Sequence, residues 1–172
     1  MIPLLALALL APPVPPPPAP ALEAAIALWE EHPLSESYRQ TTLDVMVLGA
    51  THRALEEAKV KTGDRHWSAK WERMRARLAA HVPADRRRLD REVTACLAEP
   101  LARNLDVEEI AEVRRFAATP AGARFWEVAV LRPDQVNACY AQALPIWPTD
   151  EDYRAAGIRP PKVKGYPGDV VS

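Results

Sequence analysis

Prolines divide this chain into pieces, and the pieces carry a helical period. Of its 18 prolines, eight lie within the first 20 residues and the other ten are spread over the remaining 152. A proline lacks a backbone donor and clashes with the preceding turn, so it starts, stops or kinks a helix. Between the interior prolines, apolar residues recur every three or four positions, as on a helix with one buried face. Glycine is scarce, at 6 residues, which argues against a turn-rich β-sandwich and against glycine-rich phosphate loops. With 48% hydrophobic and 26% charged residues, the composition is that of a folded chain, not a disordered one.

The expected fold is therefore all-α. It is a compact bundle of about six helices over residues 22–147, with a helical hairpin at 106–147 and a flexible tail over 148–172. Leu22, Ala25, Ile26 and Trp29 mark a first helix that Pro33 stops. Ser35 is placed to cap a second helix running to about Lys61, before Gly63. Its stretch 43–50 is apolar on most sides, so it is expected to be the most buried segment. Asp64 is placed to cap a third helix, whose stripe is Trp67, Trp71, Met74, Leu78 and Val82. After Pro83, a fourth stripe follows at Leu89, Val93, Cys96 or Leu97, and Leu101, with Pro100 expected to kink or shorten it.

The last third carries the strongest local signals. Asp106 and Glu109 have the spacing of a capping box, and Leu105 and Ile110 that of a hydrophobic staple. Ile110, Val113 and Ala117, with Phe116 alongside, form the apolar face. Thr119-Pro120 reads as an N-cap and first helical residue. Phe125, Ala129, Val136, Cys139, Tyr140, Ala143 and Trp147 then continue a sixth helix. Pro133 is expected to break or kink it, and Pro148 to end it. Beyond Pro148 no period survives, and Pro160, Pro161, Gly165, Pro167 and Gly168 point to a tail.

The beginning of the chain reads as an address. The apolar run 4–11 is far shorter than the roughly 20 residues of a membrane-spanning helix. A proline-rich stretch follows, and Ala19-Pro20-Ala21 fits a signal-peptidase site. Charged residues begin at Glu23. The expectation is a cleaved signal peptide over 1–21 and an exported, periplasmic protein. No Lys or Arg precedes the apolar run, so a short uncleaved anchor and a polyproline arm stand as alternatives. The two cysteines, Cys96 and Cys139, fit either one disulfide in an oxidising compartment or two buried thiols.

Residues Leu105, Asp106, Glu109, Ile110, Phe116, Thr119, Pro120 and Gly122 together resemble the signature of a bacterial family, domain of unknown function 2059. Its members are small, exported, all-helical proteins. The signature reads Phe, Ser or Thr, two residues, Glu, Leu; then Phe-Tyr; then Ser-Pro-x-Gly. Here Leu105 stands for the first Phe, Asp106 for Ser or Thr, Ala117 for Tyr and Thr119 for Ser. The resemblance covers about 20 of 172 residues. It implies export and a helical fold, and it carries no catalytic residue. Gly122 is unusual in a first helical turn, where it costs up to about 1 kcal/mol against alanine. A close approach of two helices would explain it.

No catalytic constellation, cofactor motif or metal-ligand set emerges. The histidines at 32, 52, 66 and 81 include no pair four apart. His52 and Glu56 are spaced to pair on one helix face. None of the four serines sits in a nucleophile elbow. Charge is uneven: residues 59–91 carry 11 basic and 4 acidic groups, against 2 and 7 over 22–58 and 5 and 11 over 92–152. Arg86, Arg87 and Arg88 form a candidate contact surface for another envelope protein or an anionic membrane. Pairing with the acidic helices of the same bundle is the favoured alternative. Nucleic acid is a poor fit for a chain expected to leave the cytoplasm. Phe125 and Trp126 are adjacent, so both can hardly face the core, and one is available to a partner. The functional expectation is a non-catalytic binding module of the cell envelope. A binder of an apolar small molecule or lipid in an inter-helix groove comes second, and an enzyme of unrecognised type third.

Overall fold

A computed structural model describes residues 15–130 and 132–161. Among them are eight α-helices and no strand: α1 Ala19–Glu31, α2 Glu36–Glu57, α3 Trp67–Ala79, α4 Arg87–Asn104, α5 Val107–Ala117, α6 Pro120–Phe125, α7 Pro133–Ala143 and α8 Asp150–Ala155. A π-helical turn, Trp126–Val130, follows α6 directly. The all-α expectation holds, with two helices more than expected. The first turn of α1 spans the expected cleavage boundary, while residues 1–14, including the apolar run, lie outside the described residues.

Local chemistry accounts for most helix starts. The Ser35 hydroxyl accepts from the Tyr38 N–H at 3.2 Å. At α5 the capping box is complete: the Glu109 N–H donates to Asp106 at 2.8 Å, and the Asp106 N–H donates to Glu109 at 2.9 Å. The Thr119 hydroxyl accepts from the Gly122 N–H at 3.0 Å and donates to the Phe116 carbonyl at 2.8 Å. One side chain thereby ties the end of α5 to the start of α6.

Other boundaries differ from the sequence reading. Helix α2 ends at Glu57, short of Lys61, because Lys59 turns into the left-handed region at φ 57°. Asp64 does not cap α3. Its carboxylate instead accepts from the Lys61 N–H at 2.9 Å, and the residue preceding α3 is His66 at φ 66°. Pro100 lies inside α4 without ending it, and the helix runs on to Asn104. The sixth helix is three pieces, and Pro133 becomes the first residue of a new helix. That helix ends at Ala143, ahead of Pro145, not at Pro148.

The tail reading is shortened as well. Thr149 and Asp152 form a second capping box, and α8 buries Asp152 and Tyr153, with Ala156 and Ile158 buried beyond it. Residues 162–172 lie outside the described residues.

Two apolar clusters hold the bundle. The first joins α1, α4, α5 and α7 through residues such as Leu28, Leu97, Ile110, Val136 and Tyr140. The second joins the C-terminal half of α2 to α3 and α8 through Val47, Leu55, Met74, Leu78, Tyr153 and Ile158. Each fully buried Leu, Val or Ile side chain contributes about 1.5–3 kcal/mol. Helix α2 runs through both clusters. The stretch 43–50 is nevertheless not the most buried segment: Val45 is 55% exposed and Leu48 42%. Its apolar residues point all round the helix, but neighbours cover only one side.

A disulfide joins Cys96 of α4 to Cys139 of α7, with Cα atoms 5.7 Å apart. It resolves the two readings of the cysteine pair.

Candidate interaction surface

The chain has two phenylalanines, and both are exposed. Phe116, at the end of α5, is 48% exposed, and Phe125, at the end of α6, is 55% exposed. Their rings pack edge to face, 5.9 Å between centroids. Val128, three residues further on, is 86% exposed. Periodicity placed Phe116 beside the apolar face of its helix, so its exposure is a correction; for Phe125 the adjacency of Trp126 leaves one of the two to face outward. The adjacent Trp126 takes the core position instead, at 4% exposure. The π-helical turn beginning there changes the phase of the helix, which also leaves Ala129 outside.

The platform beneath the two rings is tight. A Cβ on Gly122 would lie 1.8 Å from the Phe116 carbonyl oxygen. The close approach inferred from the sequence is therefore real, and it sets the spacing of the aromatic pair. Of the signature residues, Ile110 and Gly122 are buried and Leu105 packs on the first core, while Asp106, Glu109, Thr119 and Pro120 serve the helix starts. Phe116 is the large hydrophobic side chain among them that stands exposed. Clustered exposed aromatics of this kind mark contact sites more often than lone apolar residues do.

A groove of about 570 Å³ lies between α2 and α3. Leu43, Val47, Ala76 and Val82 line it, with Arg75 and Arg86 also on its wall. Its size falls within the range of small-molecule sites.

The basic run is largely engaged. Arg86 donates to the Gln40 side chain at 3.0 Å and lies 3.6 Å from Glu36 of α2. Arg87 pairs with Asp85 at 2.7 Å, and Arg88 with Glu92 at 2.7 Å. Other arginines bridge helices: Arg39 to Asp90, and Arg114 to Glu31. Of Arg86, Arg87 and Arg88, only Arg86 reaches an acidic helix; Arg87 and Arg88 pair with residues beside them in sequence and remain 85% and 86% exposed. His52 and Glu56 pair at 3.4 Å on the open face of α2.

Asp152 anchors a buried titratable cluster. The Asp152 carboxylate, 1% exposed, accepts from Arg77 Nε at 2.9 Å and lies 3.1 Å from His81 Nε2. It also accepts from the Thr149 N–H at 2.9 Å and the Thr149 hydroxyl at 2.8 Å. Burial pushes this carboxyl up, but the Thr149 and Arg77 hydrogen bonds and the His81 charge together outweigh it, holding the group below its ordinary range. A depressed folded-state value means that the contribution is complete above the unfolded value of 3.8 and is lost as pH falls through the folded value. Thermal unfolding from pH 7 downward is therefore expected to show the midpoint falling below about pH 4. Asp152→Asn is expected to lower the midpoint at neutral pH, by about 1–3 kcal/mol of stability, and to flatten the acid limb. An acid limb as steep in the variant as in the parent would exclude this group as a source.

Among the described residues, no helix is long and apolar enough to cross a membrane. Comparison with protein-family models, curated proteins and solved structures gives no match.

Proposed function

We propose that the chain is an exported, non-catalytic interaction module of the cell envelope, and that the Phe116–Phe125–Val128 face is its contact for a partner protein. The observation that carries this reading is that both phenylalanines stand in solvent, against each other, on a hairpin whose geometry Gly122 holds closed. Burying such a pair in a partner would contribute area at about 25 cal/mol per Å², with little side-chain freedom left to lose. The Cys96–Cys139 bond is compatible with the oxidising compartment that export implies. Membership of the family that residues 105–122 resemble belongs to the same proposal and rests on those residues.

Native mass spectrometry of the protein from its own cell envelope is the test, run beside the Phe116→Ser/Phe125→Ser variant. The parent is expected to retain a second chain that the variant loses, with both unfolding at a similar temperature. A bare monomer for the parent, or equal retention by both, would overturn the assignment of this face.

A second reading, an apolar small molecule or lipid held between helices, is favoured by the α2–α3 groove. It predicts a small adduct in the same spectrum, retained by the Phe variant and lost in Ala76→Trp, which fills the groove.

A further inference from the structure

Gly49 stands in the interior of α2, where glycine is a poorer helix former than alanine. Unlike Gly122, it is not required there by a close approach: a Cβ at this position would meet nothing within 4 Å. Gly49 instead borders a hollow of about 200 Å³ between α2 and the segment 144–147 that follows α7. Met46, Leu144, Ile146 and Trp147 give this hollow apolar walls. Arg53, one turn beyond Gly49, is the charged residue on the wall among the described residues.

Arg53 has no carboxylate partner among the described residues. The acids one turn further on are engaged elsewhere. Glu56 lies 3.4 Å from His52, and Glu57 accepts from the Tyr153 hydroxyl at 3.2 Å. The guanidinium sits over the Trp147 ring, 5.2 Å from its centroid. A ring face attracts the cation but leaves its N–H donors to find acceptors elsewhere. An unneutralised cation, apolar walls and an interior glycine that nothing in the chain requires thus coincide at one hollow.

We infer that this hollow binds a small monocarboxylate with an apolar body of about four to six carbons, its carboxylate held by Arg53. The planar guanidinium matches a carboxylate through two parallel hydrogen bonds. Apolar walls with one cation complement a ligand of the same pattern, one anionic end on an apolar body. Volume sets the length: at about 30 Å³ per water-sized group, the hollow holds about six or seven heavy atoms, too few for a long lipid chain. The missing side chain of Gly49 leaves that room open. This hollow is separate from the Phe116–Phe125 face and from the α2–α3 groove, and depends on neither.

The test is a titration of the ¹⁵N-labelled protein with sodium hexanoate, run beside hexanamide and acetate. It is followed on the Gly49 amide, Arg53 Nε–H and Trp147 indole resonances. All three are expected to shift and saturate at millimolar hexanoate, with hexanamide at least tenfold weaker and acetate not saturating. Arg53→Gln is expected to weaken hexanoate about tenfold, to the level of hexanamide. Gly49→Leu is expected to bind none while its unfolding midpoint stays at or above that of the parent, since the space beside it is open. Ala76→Trp, which fills the α2–α3 groove, is expected to leave hexanoate binding within twofold. No saturation, equal saturation by hexanamide, or parent-like binding by Arg53→Gln or Gly49→Leu overturns the proposal. Saturation by acetate at the same concentration also overturns it, in favour of a bare anion contact, and loss of binding in Ala76→Trp does so in favour of the groove.

Discussion

Replacing Gly122 by alanine is expected to lower the unfolding midpoint, although alanine is the better helix former. On propensity alone the change would stabilise α6 by about 1 kcal/mol. The added Cβ would lie 1.8 Å from the Phe116 oxygen, 2.5 Å from its carbonyl carbon and 2.9 Å from the Ala117 Cα. All three are backbone atoms, so no rotamer change relieves the overlap. Helices α5 and α6 must part, and parting strains the Thr119 hydroxyl bond that spans them. Overpacking typically costs about 1–3 kcal/mol, and a backbone clash sits at the upper end. A net loss of about 2 kcal/mol corresponds to a midpoint drop of about 4–8 °C in a chain of this size. Leucine at 122 is expected to do worse. Because the same hairpin spaces Phe116 and Phe125, Gly122→Ala is also expected to weaken retention of a partner without touching either ring. An unchanged midpoint would show that the two helices separate at little cost.

The parts of this fold that were legible in the sequence are those decided within one helical turn. Asp106, Glu109, Thr119 and Pro120 act on backbone groups two or three residues away, so their spacing carries the information. Gly122 was legible for another reason: a residue that costs stability where it stands must be compensated by something close. The features that were missed depend on what lies across the bundle. Pro100 sits within α4 without ending it, an outcome that no local pattern states. The stretch 43–50 is apolar all round, and only packing decides that Val45 and Leu48 stay outside. Helix α8 has six residues, too few for a period to register. Its signal was the Thr149–Asp152 spacing, masked by the prolines and glycines around it.

The candidate face shows the same division. That Phe125 and Trp126 compete for one side was visible in their adjacency, but which of them wins was not. The π-helical turn settles it by shifting the helix phase at Trp126, and nothing in the spacing of Phe125, Ala129 and Val136 anticipates an extra residue in that turn. Exposure of Phe116 was hidden by its place beside Ile110, Val113 and Ala117. Those three belong to or pack on the first core, whereas the Phe116 ring clears the bundle edge and finds Phe125.

Loss of the Cys96–Cys139 bond is expected to cause the largest fall in stability. The bond closes a loop across a sequence separation of 43 residues. In the chain-entropy description a loop of that length restricts the unfolded chain by about 4 kcal/mol, and removal of native disulfides typically costs about 2–5 kcal/mol. The position adds to the effect. Helix α7 is cut off from α6 by the break before Pro133, so its hold on the bundle is through side-chain packing and this one covalent link to α4. Cys139 is 2% exposed beside Val136 and Tyr140, which places the bond at the edge of the first core. Cys96→Ala/Cys139→Ala is expected to lower the midpoint by about 8–16 °C. Reductant should lower the parent by a similar amount and leave the double variant unchanged. Two titratable thiols in the purified protein, with a midpoint indifferent to reductant, would sink this account. A dependence of that size would tie the fold to its compartment. In a reducing environment the chain would lose a substantial part of a total stability of about 5–15 kcal/mol, and α7 would be held by packing alone.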